Sequence, residues 1–250
     1  MVAGNWKMHT TVPEALNLTA AVRQRLIPDP LAEVVLLPPY ISLWAVQQLL
    51  IQEPRISVGA QDCYWEPSGA YTGQVSAAML RPSCQHVLVG HSERRHLFGD
   101  TDEVVRRKLD AALAVGLRPL LAVGETAAER DAAQTETVLS EQIRSGLGGL
   151  DRPDLDSCTV AYEPVWAIGR GESAELSDIS RALAWVRAAL EDLGSGLGSE
   201  LRVLYGGSVS AAAAPEILRL PEVDGALVGG ASLDPDEFCA IVAAAGASVS

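Results

Sequence analysis

A carboxylate at the end of an apolar run is the feature of this sequence that most strongly indicates chemistry. In the stretch CTVAYEPVWAIGRGESAE, from Cys158 to Glu175, a short apolar run ends in Tyr-Glu-Pro. An ionised glutamate is rarely buried without a partner, so Glu163 needs either a structural ion pair or a catalytic role. Arg94 and Arg95 are the candidates for a structural pair. The proline that follows Glu163 fixes the backbone there.

Other residues with reactive or anion-binding groups also follow apolar runs. Asn5 and Lys7 come after the first run, and His91 comes after the run HVLV. Gly206-Gly207-Ser208 and Gly229-Gly230 follow the last two runs, and turns of this kind can offer backbone N–H groups to an anion. Each has an ordinary explanation by itself: a surface lysine, a helix-capping histidine or a simple turn. Together they supply a base, an imidazole, a cation and an anion site.

Eight short apolar runs divide the chain at regular intervals. Continuous apolarity is typical of strands that are buried on both faces of a parallel sheet. The predicted strands are VAGNW from residue 2, VVLL from 34, ISV from 56, HVLV from 86, RPLLAV from 118, TVAY from 159, RVLY from 202 and GALVG from 225.

The segments between these runs have helical spacing. The clearest one carries apolar residues at Ile179, Leu183, Val186, Leu190 and Leu193, which predicts one buried face of a helix. Another is preceded by Asp100 with Glu103 three residues later, which predicts a capping box at Asp100.

Eight strands, each followed by a helix, predict an α/β fold: a (β/α)8 barrel that forms one domain over residues 1–250. The alternative, a doubly wound open sheet that binds a dinucleotide, loses support because no G-x-G-x-x-G motif follows the first strand. In such a barrel the active site lies at the carboxyl ends of the strands, where the residues named above fall. The long connection from Ala60 to Ala78 has no predicted element, and that length suggests a function.

Composition limits the partners of the protein. The 250 residues carry a net charge of -13, which repels nucleic acid and anionic membranes. Four cysteines, at 63, 84, 158 and 239, lie far apart without C-x-x-C spacing, as is usual for reduced thiols in the cytoplasm. No signal peptide and no apolar run of the ~18 residues that a membrane helix needs is seen. We therefore expect a cytoplasmic protein without nucleic-acid or membrane partners.

Six motifs make the chain resemble the triosephosphate isomerases. They are GNWKMH, GAYTGQVS, VLVGHSERRHLFGD, AYEPVWAIGRG, LYGGSVS and DGALVGGASL. They occur in the family's order and extend over essentially the whole chain. The resemblance implies a homodimeric TIM-barrel enzyme of glycolysis and gluconeogenesis that needs no cofactor and no metal. Its reaction is the interconversion of dihydroxyacetone phosphate and D-glyceraldehyde 3-phosphate through an enediol(ate).

The resemblance also implies a role for each matching residue. It makes Glu163 the base and His91 a neutral electrophile, which are the roles this family is known for, while Lys7 and Asn5 bind substrate. Glu93 becomes the partner of Lys7 in the resting site, and Ser92 supports the same region. The phosphate contacts fall on Gly169, Ser208, Gly229 and Gly230. The segment from Val165 to Ala174 becomes a closing lid, and its closure is expected to raise the basicity of Glu163 by burial.

Three departures and three alternatives accompany this assignment. Arg170 and Glu172 stand where the family's lid has Thr and Lys, and Gln74 replaces a glutamate in the loop of residues 60–78 that is implied to contact the second subunit. One alternative is an isomerase of a four-carbon ketose phosphate on the same scaffold. A second is a non-catalytic relative, and a third is a lyase that forms a Schiff base on Lys7.

Overall fold

The structure, a computed structural model, describes residues 1–28, 30–167 and 174–247 of the chain. Eight strands form a closed barrel in which sequence neighbours are spatial neighbours. The strands are β1 (Val2–Asn5), β2 (Val34–Leu37), β3 (Ile56–Ala60), β4 (His86–Val89), β5 (Arg118–Val123), β6 (Thr159–Tyr162), β7 (Arg202–Tyr205) and β8 (Ala226–Val228). All eight predicted strands are therefore confirmed.

The pairing register shows how the barrel closes. β1 is parallel to β2, with Val2 opposite Val34, and parallel to β8, with Val2 opposite Ala226. All the other neighbouring pairs are parallel as well. The (β/α)8 barrel is confirmed, and the open doubly wound sheet is excluded because both edges of β1 are paired, one with β2 and the other with β8.

Helices surround the strands. They are α1 (Val12–Arg25), α2 (Tyr40–Leu49), α3 (Ala77–Leu80), α4 (Ser92–Phe98), α5 (Asp102–Ala114), α6 (Ala127–Asp131), α7 (Thr135–Leu147), α8 (Arg152–Asp156), α9 (Leu176–Leu193), α10 (Leu197–Glu200), α11 (Ala214–Ile217) and α12 (Pro235–Ala247). A 3-10 turn, Gly230–Leu233, follows β8. Within the described ranges, no helix has the length and apolarity needed to cross a membrane.

The helix predictions are confirmed in one case and corrected in another. The stripe of α9 faces the core as expected, with Ile179, Leu183 and Val186 buried. The capping box predicted at Asp100 is wrong: the N-cap of α5 is Thr101, whose hydroxyl accepts from the Val104 N–H. Asp100 is buried, and Lys108 Nζ lies 2.5 Å from its carboxylate. The Asp100 carboxylate thus forms a buried ion pair with Lys108 and does not cap the helix.

Alternation along the strands creates two apolar layers. Side chains that point into the barrel, among them Ala3, Val35 and Leu120, form an inner cluster. The intervening side chains, such as Val34 and Val160, pack outwards against the helices in a larger cluster. Because both faces are covered, the barrel is a packed core, and its polar residues collect at the two ends.

The connection between residues 60 and 78 projects from the barrel. Its base is closed by a hydrogen bond from the Tyr64 N–H to the Val75 carbonyl, 2.8 Å long. The rings of Tyr64 and Trp65 stack with centroids 4.1 Å apart. The tip, residues 67–74, is exposed. The loop therefore has a defined base and presents its tip outwards.

Candidate active site

A cavity of about 700 Å³ opens at the carboxyl ends of the strands. Its lining comes from the segments that follow β1, β4, β6, β7 and β8. The lining residues are Asn5, Lys7, His91, Ser92, Glu93, His96, Leu97, Glu163, Val165, Gly206, Gly207, Ser208, Val209, Ser210, Leu227, Gly229, Gly230 and Ala231. The predicted residues that the structure describes all lie in this one cavity.

Glu163 owes its position to the neighbouring strands. Its N–H donates to the Val123 carbonyl at 2.8 Å, which extends the pairing of β6 with β5 by one residue. A Cβ atom at Gly124 would collide with the Glu163 carbonyl oxygen, so glycine is required there. The backbone that carries the carboxylate is thus fixed before its side chain reaches the cavity.

The Glu163 carboxylate has two hydrogen-bonding neighbours. His91 Nε2 lies 2.9 Å from Oε1, and the Ser92 N–H donates to Oε2 at 2.8 Å. Both the Glu163 and His91 side chains are almost fully buried, with exposed fractions of 3% and 6%. A buried carboxylate with this pairing is satisfied, and it must exchange these partners for substrate before it can act on it.

The geometry also fixes the protonation state of the pair. Burial by itself raises the pKa of Glu163, but the His91 ring and the Ser92 N–H outweigh it and hold the pKa below its usual value. His91 Nδ1 accepts the Glu93 N–H at 3.2 Å, as the N-cap of α4. A proton on Nδ1 would oppose that bond, so the proton resides on Nε2. Burial lowers the pKa of His91, but Glu163 and Glu93 outweigh it and raise that pKa. The contact of Nδ1 with the Glu93 N–H is therefore the observation that favours a neutral imidazole donating to an ionised carboxylate.

Asn5 and Gln61 hold Lys7 in an uncommon backbone conformation. Lys7 has φ 52, in the left-handed region that non-glycine residues seldom occupy. Its N–H donates to Asn5 Oδ1 at 3.0 Å, and its carbonyl accepts from Gln61 Nε2 at 2.8 Å. Strain of this type persists where the surroundings over-determine it, and it is frequent at functional sites. The three residues together aim the lysine across the cavity.

Lys7 and Glu93 form an ion pair across the cavity, with 2.7 Å between Nζ and Oε1. Both side chains are partly exposed, at 26% and 42%, so the pair contributes little to stability. A cation held by a partly solvated partner can be shared with an incoming anion. Lys7 is therefore available to substrate without a large cost in breaking its resting contact.

Glycine-rich turns form the opposite side of the cavity. Gly206 donates its N–H to the Tyr162 carbonyl at 2.7 Å, which anchors the turn that carries Ser208. Ser232 Oγ donates to the Gly229 carbonyl at 2.6 Å and anchors the second turn. Gly230 begins the 3-10 turn, where the first N–H groups have no partner within the turn itself. Such a surface can bind a phosphate by N–H groups.

The first turn after Glu163 is held by a separate set of contacts. Trp166 Nε1 donates to Glu125 Oε1 at 2.8 Å, and the Tyr162 hydroxyl donates to the same oxygen at 3.1 Å. Burial raises the pKa of Glu125 despite these hydrogen bonds. The beginning of the predicted lid is thus fixed to the strand that carries Glu163.

Several predictions can be compared with these positions. Asn5, Lys7, His91, Ser92, Glu93, Glu163, Ser208, Gly229 and Gly230 converge on the cavity. Gly169, Arg170 and Glu172 lie outside the described residues. The structural pairing of Glu163 with Arg94 or Arg95 is wrong, because Arg94 binds Asp100 and Arg95 binds Asp102. The capping explanation for His91 holds, although the residue also faces the cavity.

Sequence reasoning missed residues at two places. His96 and Leu97 line the cavity. Ser92 and His96 are four residues apart and therefore lie on one face of α4. That spacing would have indicated His96. No sequence motif marks Gln61, because its side chain acts by donating to a backbone carbonyl, that of Lys7. Among the described residues, no group of three or more His, Cys, Asp or Glu side chains is arranged to hold a metal ion.

Comparison with known proteins agrees with this geometry. The family model for triosephosphate isomerase matches residues 1–245. A triosephosphate isomerase of Moorella thermoacetica is 46% identical over 97% of each chain. Those of Chloroherpeton thalassium and Syntrophotalea carbinolica are 43% and 44% identical over 98% and 96% of each chain. The barrel, the converging residues and these matches show that the chain belongs to the triosephosphate isomerase family.

Proposed function

We propose that this protein interconverts dihydroxyacetone phosphate and D-glyceraldehyde 3-phosphate, as a step of glycolysis and gluconeogenesis. The observation that carries the proposal is the buried Glu163–His91 pair, 2.9 Å apart, beside Lys7 in one cavity of the barrel. A carboxylate base, a neutral N–H donor and a cation are what proton transfer between adjacent carbons requires. Family membership supports the same reaction.

Glu163 is the base in this mechanism. The carboxylate leaves the Ser92 N–H, removes a proton from carbon 1 of dihydroxyacetone phosphate and returns it to carbon 2. The ionised state supported above is the state that accepts the proton. The Ser92 N–H and His91 stabilise it only in the resting arrangement, so its basicity increases when substrate displaces them.

His91 and Lys7 stabilise the enediol(ate). His91 Nε2–H, which donates to Glu163 in the structure, turns to the two substrate oxygens as charge develops on them, and the hydroxyl proton of oxygen 1 passes to oxygen 2 through this imidazole so that the aldehyde forms. Lys7, placed by Asn5, offsets the negative charge of the intermediate and moves from Glu93 to the substrate. The N–H groups near Ser208, Gly229 and Gly230 bind the phosphate. Gly169 completes the phosphate site in this proposal, as the family resemblance implies.

A coupled assay with glyceraldehyde 3-phosphate and with erythrulose phosphates tests the reaction directly. Turnover of the triose phosphate with at least a hundredfold preference in kcat/KM supports the proposal. A preference for the four-carbon substrate would favour the alternative isomerase. Borohydride inactivation in the presence of substrate would instead show a Schiff base on Lys7.

We further propose a homodimer that associates through the 60–78 loop. Large apolar side chains are exposed on the segments that follow β1 to β4. They are Met8, Ile41, Trp44, Tyr71, Met79, Leu97 and Phe98. Exposed apolar surface on four adjacent segments is typical of a protein interface. The projecting tip of the 60–78 loop is the part able to reach a second subunit.

Two further proposals concern the chain as a whole. A single domain over residues 1–250 is supported by the pairing of β1 with β8, which joins the two ends of the barrel sequence in one sheet. A cytoplasmic location is supported by the four cysteines, which are all free thiols. Structural disulfides are rare in that compartment.

A further inference from the structure

Four charged side chains form a buried cluster beside the catalytic cavity. Lys108 Nζ donates to Asp62 Oδ1 at 2.8 Å, to Asp62 Oδ2 at 3.0 Å and to Asp100 Oδ2 at 2.5 Å. Arg94 Nε lies 3.0 Å from Asp62 Oδ2 and 3.0 Å from Asp100 Oδ2. Lys108 is only 2% exposed, and the two carboxylates are 11% and 6% exposed. Two cations and two anions therefore balance each other, with the lysine at the centre.

Lys108 finds a partner for every donor of its side chain. An ammonium group has three N–H donors, and three carboxylate oxygens lie within 3.0 Å of Nζ. A buried charge with fewer partners would be costly. The backbone of the same residue contacts the same segment, because Cys63 Sγ donates to the Lys108 carbonyl at 3.6 Å. Helix α5 is thus joined through Lys108 to the segment that follows β3.

The cluster is connected to Lys7 through the residue that precedes Asp62. Gln61 Nε2 donates to the carbonyls of Lys7 and Leu37, both at 2.8 Å. Lys7 has a backbone conformation that needs such support, with φ 52. Gln61 and Asp62 are neighbours directly after β3, so the direction in which the Gln61 side chain points depends on how the Asp62 carboxylate is held.

The cluster is connected to His91 through Arg94. In the first turn of α4 the Arg94 N–H donates to the His91 carbonyl at 2.8 Å, and the Arg94 carbonyl accepts from the Asp100 N–H at 3.0 Å. A helix of seven residues is unstable by itself, so α4 is oriented by the contacts of its side chains. Arg94 makes such contacts with the cluster, and they help to set the direction in which His91 faces the cavity.

We propose that Lys108 is a positioning residue for the isomerisation, because it holds the segments that carry the catalytic lysine and the catalytic imidazole at one separation. Without its ammonium group, Asp62 and Asp100 would share the Arg94 guanidinium, and their mutual repulsion would move the two segments apart. The four residues of the cluster lie outside the cavity lining formed by the described part of the chain. Lys108 therefore acts without touching substrate. This inference rests on the proposed function.

The same helix supplies a matched control in Arg106. Arg106 Nε lies 2.8 Å from Asp110 Oδ1, and its Nη1 donates to the Gly148 carbonyl. These contacts lie away from the cluster. Arg106→Met therefore removes a cation and its partners from α5 and leaves Lys108 with its three carboxylate oxygens.

Steady-state kinetics at several protein concentrations test the proposal. We expect Lys108→Met to lower kcat at least about tenfold, because a misplacement of about 1 Å at a catalytic group can cost about a hundredfold. The loss should be the same at nanomolar and at micromolar protein. Arg106→Met should keep kcat within about twofold of the wild type. A role of Lys108 in subunit association alone would instead give a kcat that recovers as the protein concentration rises.

A double variant separates position from charge balance. Lys108→Met leaves two buried carboxylates with one cation, which destabilises the fold. Adding Asp62→Asn leaves one carboxylate, Asp100, with one cation, Arg94. We expect the double variant to regain thermal stability and to keep a kcat at least about tenfold below that of the wild type, because the ammonium bridge is still missing. If Lys108→Met does not fold, the double variant takes its place.

The ¹⁵N NMR signals of the His91 ring give a readout that needs no substrate. In the structure Nδ1 accepts the Glu93 N–H and Nε2 faces Glu163, so the two nitrogens have distinct shifts. Their absence in His91→Gln assigns them. We expect Lys108→Met and the double variant to move or broaden both signals and Arg106→Met to leave them in place. This measurement stays informative even if the wild type fails to isomerise triose phosphates, so failure of the proposed function is recognised separately.

Four results would overturn the proposal. The first is a wild-type kcat in folded Lys108→Met or in the double variant. The second is a kcat that recovers at micromolar protein. The third is a set of His91 ring signals that both variants leave unchanged. The fourth is an equal loss of kcat in Lys108→Met and Arg106→Met, which would assign the effect to a general weakening of α5.

Discussion

The barrel has a His–Glu pair at each end, and β4 supplies or adjoins both histidines. At the carboxyl end His91 Nε2 lies 2.9 Å from Glu163 Oε1. At the amino end His86 Nε2 lies 3.0 Å from Glu33 Oε1. Distance does not separate the two pairs, so their different roles must come from their surroundings.

The surroundings differ in the cation that each carboxylate meets. Glu33 also binds Arg202, with 2.7 Å between Oε2 and Nη1. The hydrogen bond from His86, aided by Arg202, overcomes burial and lowers the pKa of Glu33 to about 2. A carboxylate held by an arginine, which stays charged at all accessible pH values, is too weak a base to remove a proton from carbon. Among the residues that the structure describes, Glu163 contacts an imidazole and one backbone N–H, which it can give up.

The two ends therefore show that a catalytic carboxylate needs replaceable partners as well as a buried position. Glu163 opens into a cavity of about 700 Å³, whereas Glu33 borders one of about 350 Å³ that also contains Arg118 and Arg202. At the amino end, Glu33 stays ionised and paired with Arg202. At the carboxyl end, Glu163 can exchange His91 and the Ser92 N–H for substrate.

The largest expected difference comes from replacing the carboxylate at each end of the barrel. We expect Glu163→Gln to lower kcat by at least roughly a hundredfold, within the ~10²–10⁴ usual for a general base, with substrate binding largely kept. Glu33→Gln should leave kcat within twofold. Steady-state kinetics of the two variants test this difference in kcat. A nearly normal kcat in Glu163→Gln would contradict it.

Replacing the histidines gives the next contrast. His91→Gln should lower kcat about a hundredfold, as loss of one preorganised donor to a developing oxyanion does elsewhere. His86→Gln should change thermal stability and not kcat. An unchanged kcat in His91→Gln would leave that residue only the capping role it has in α4.

Removing the cation at each end should likewise lower kcat/KM only at the carboxyl end. Lys7→Met is expected to lower kcat/KM about thirtyfold, from the 1.5–3 kcal/mol that hydrogen bonds to charged groups contribute. Arg202→Met should destabilise the fold and leave kcat/KM near its original value. Equal losses of kcat/KM in both variants would show that overall charge, and not position, governs substrate capture.

The smallest effect is a pH dependence of stability from the amino end. The folded pKa of Glu33, about 2, lies below its ordinary value of 4.5. Its contribution is therefore complete above pH 4.5 and is lost as the pH falls towards 2. Glu33→Gln should lower the free energy of unfolding by about 2 kcal/mol at pH 7 and by almost nothing near pH 2. Chemical denaturation across this range checks it, and a difference that persists at pH 2 would contradict it.

Much of this arrangement could be predicted from the sequence because it depends on local pattern. Continuous apolar runs define strands, and in a parallel barrel every strand end falls at one of two rims, so the positions of Asn5, His91 and Glu163 follow from the order of the chain. Proline after Glu163 and the glycine turns mark their sites through backbone chemistry that a sequence displays directly.

The contacts that could not be predicted depend on which of several possible partners a side chain meets in the folded structure. The expected cap at Asp100 lost to a buried ion pair with Lys108. The carboxylate of Glu33, and the stacking of Arg130 on Trp166, involve residues far apart in the chain with no shared motif. Gln61 supports Lys7 by binding its carbonyl, a contact that no side-chain pattern records.

The most direct test of the central claim, that Glu163 carries a proton between neighbouring carbons, is isomerisation of dihydroxyacetone phosphate in D₂O. A carboxylate that holds the proton transiently exchanges it with solvent, so we predict deuterium at carbon 2 of the glyceraldehyde 3-phosphate formed by the wild type and by Glu33→Gln. Incorporation by Glu163→Gln should be slower by at least about a hundredfold. Product that forms without any deuterium would contradict exchange of the proton on Glu163 with solvent, and undiminished incorporation in Glu163→Gln would show that another group is the base.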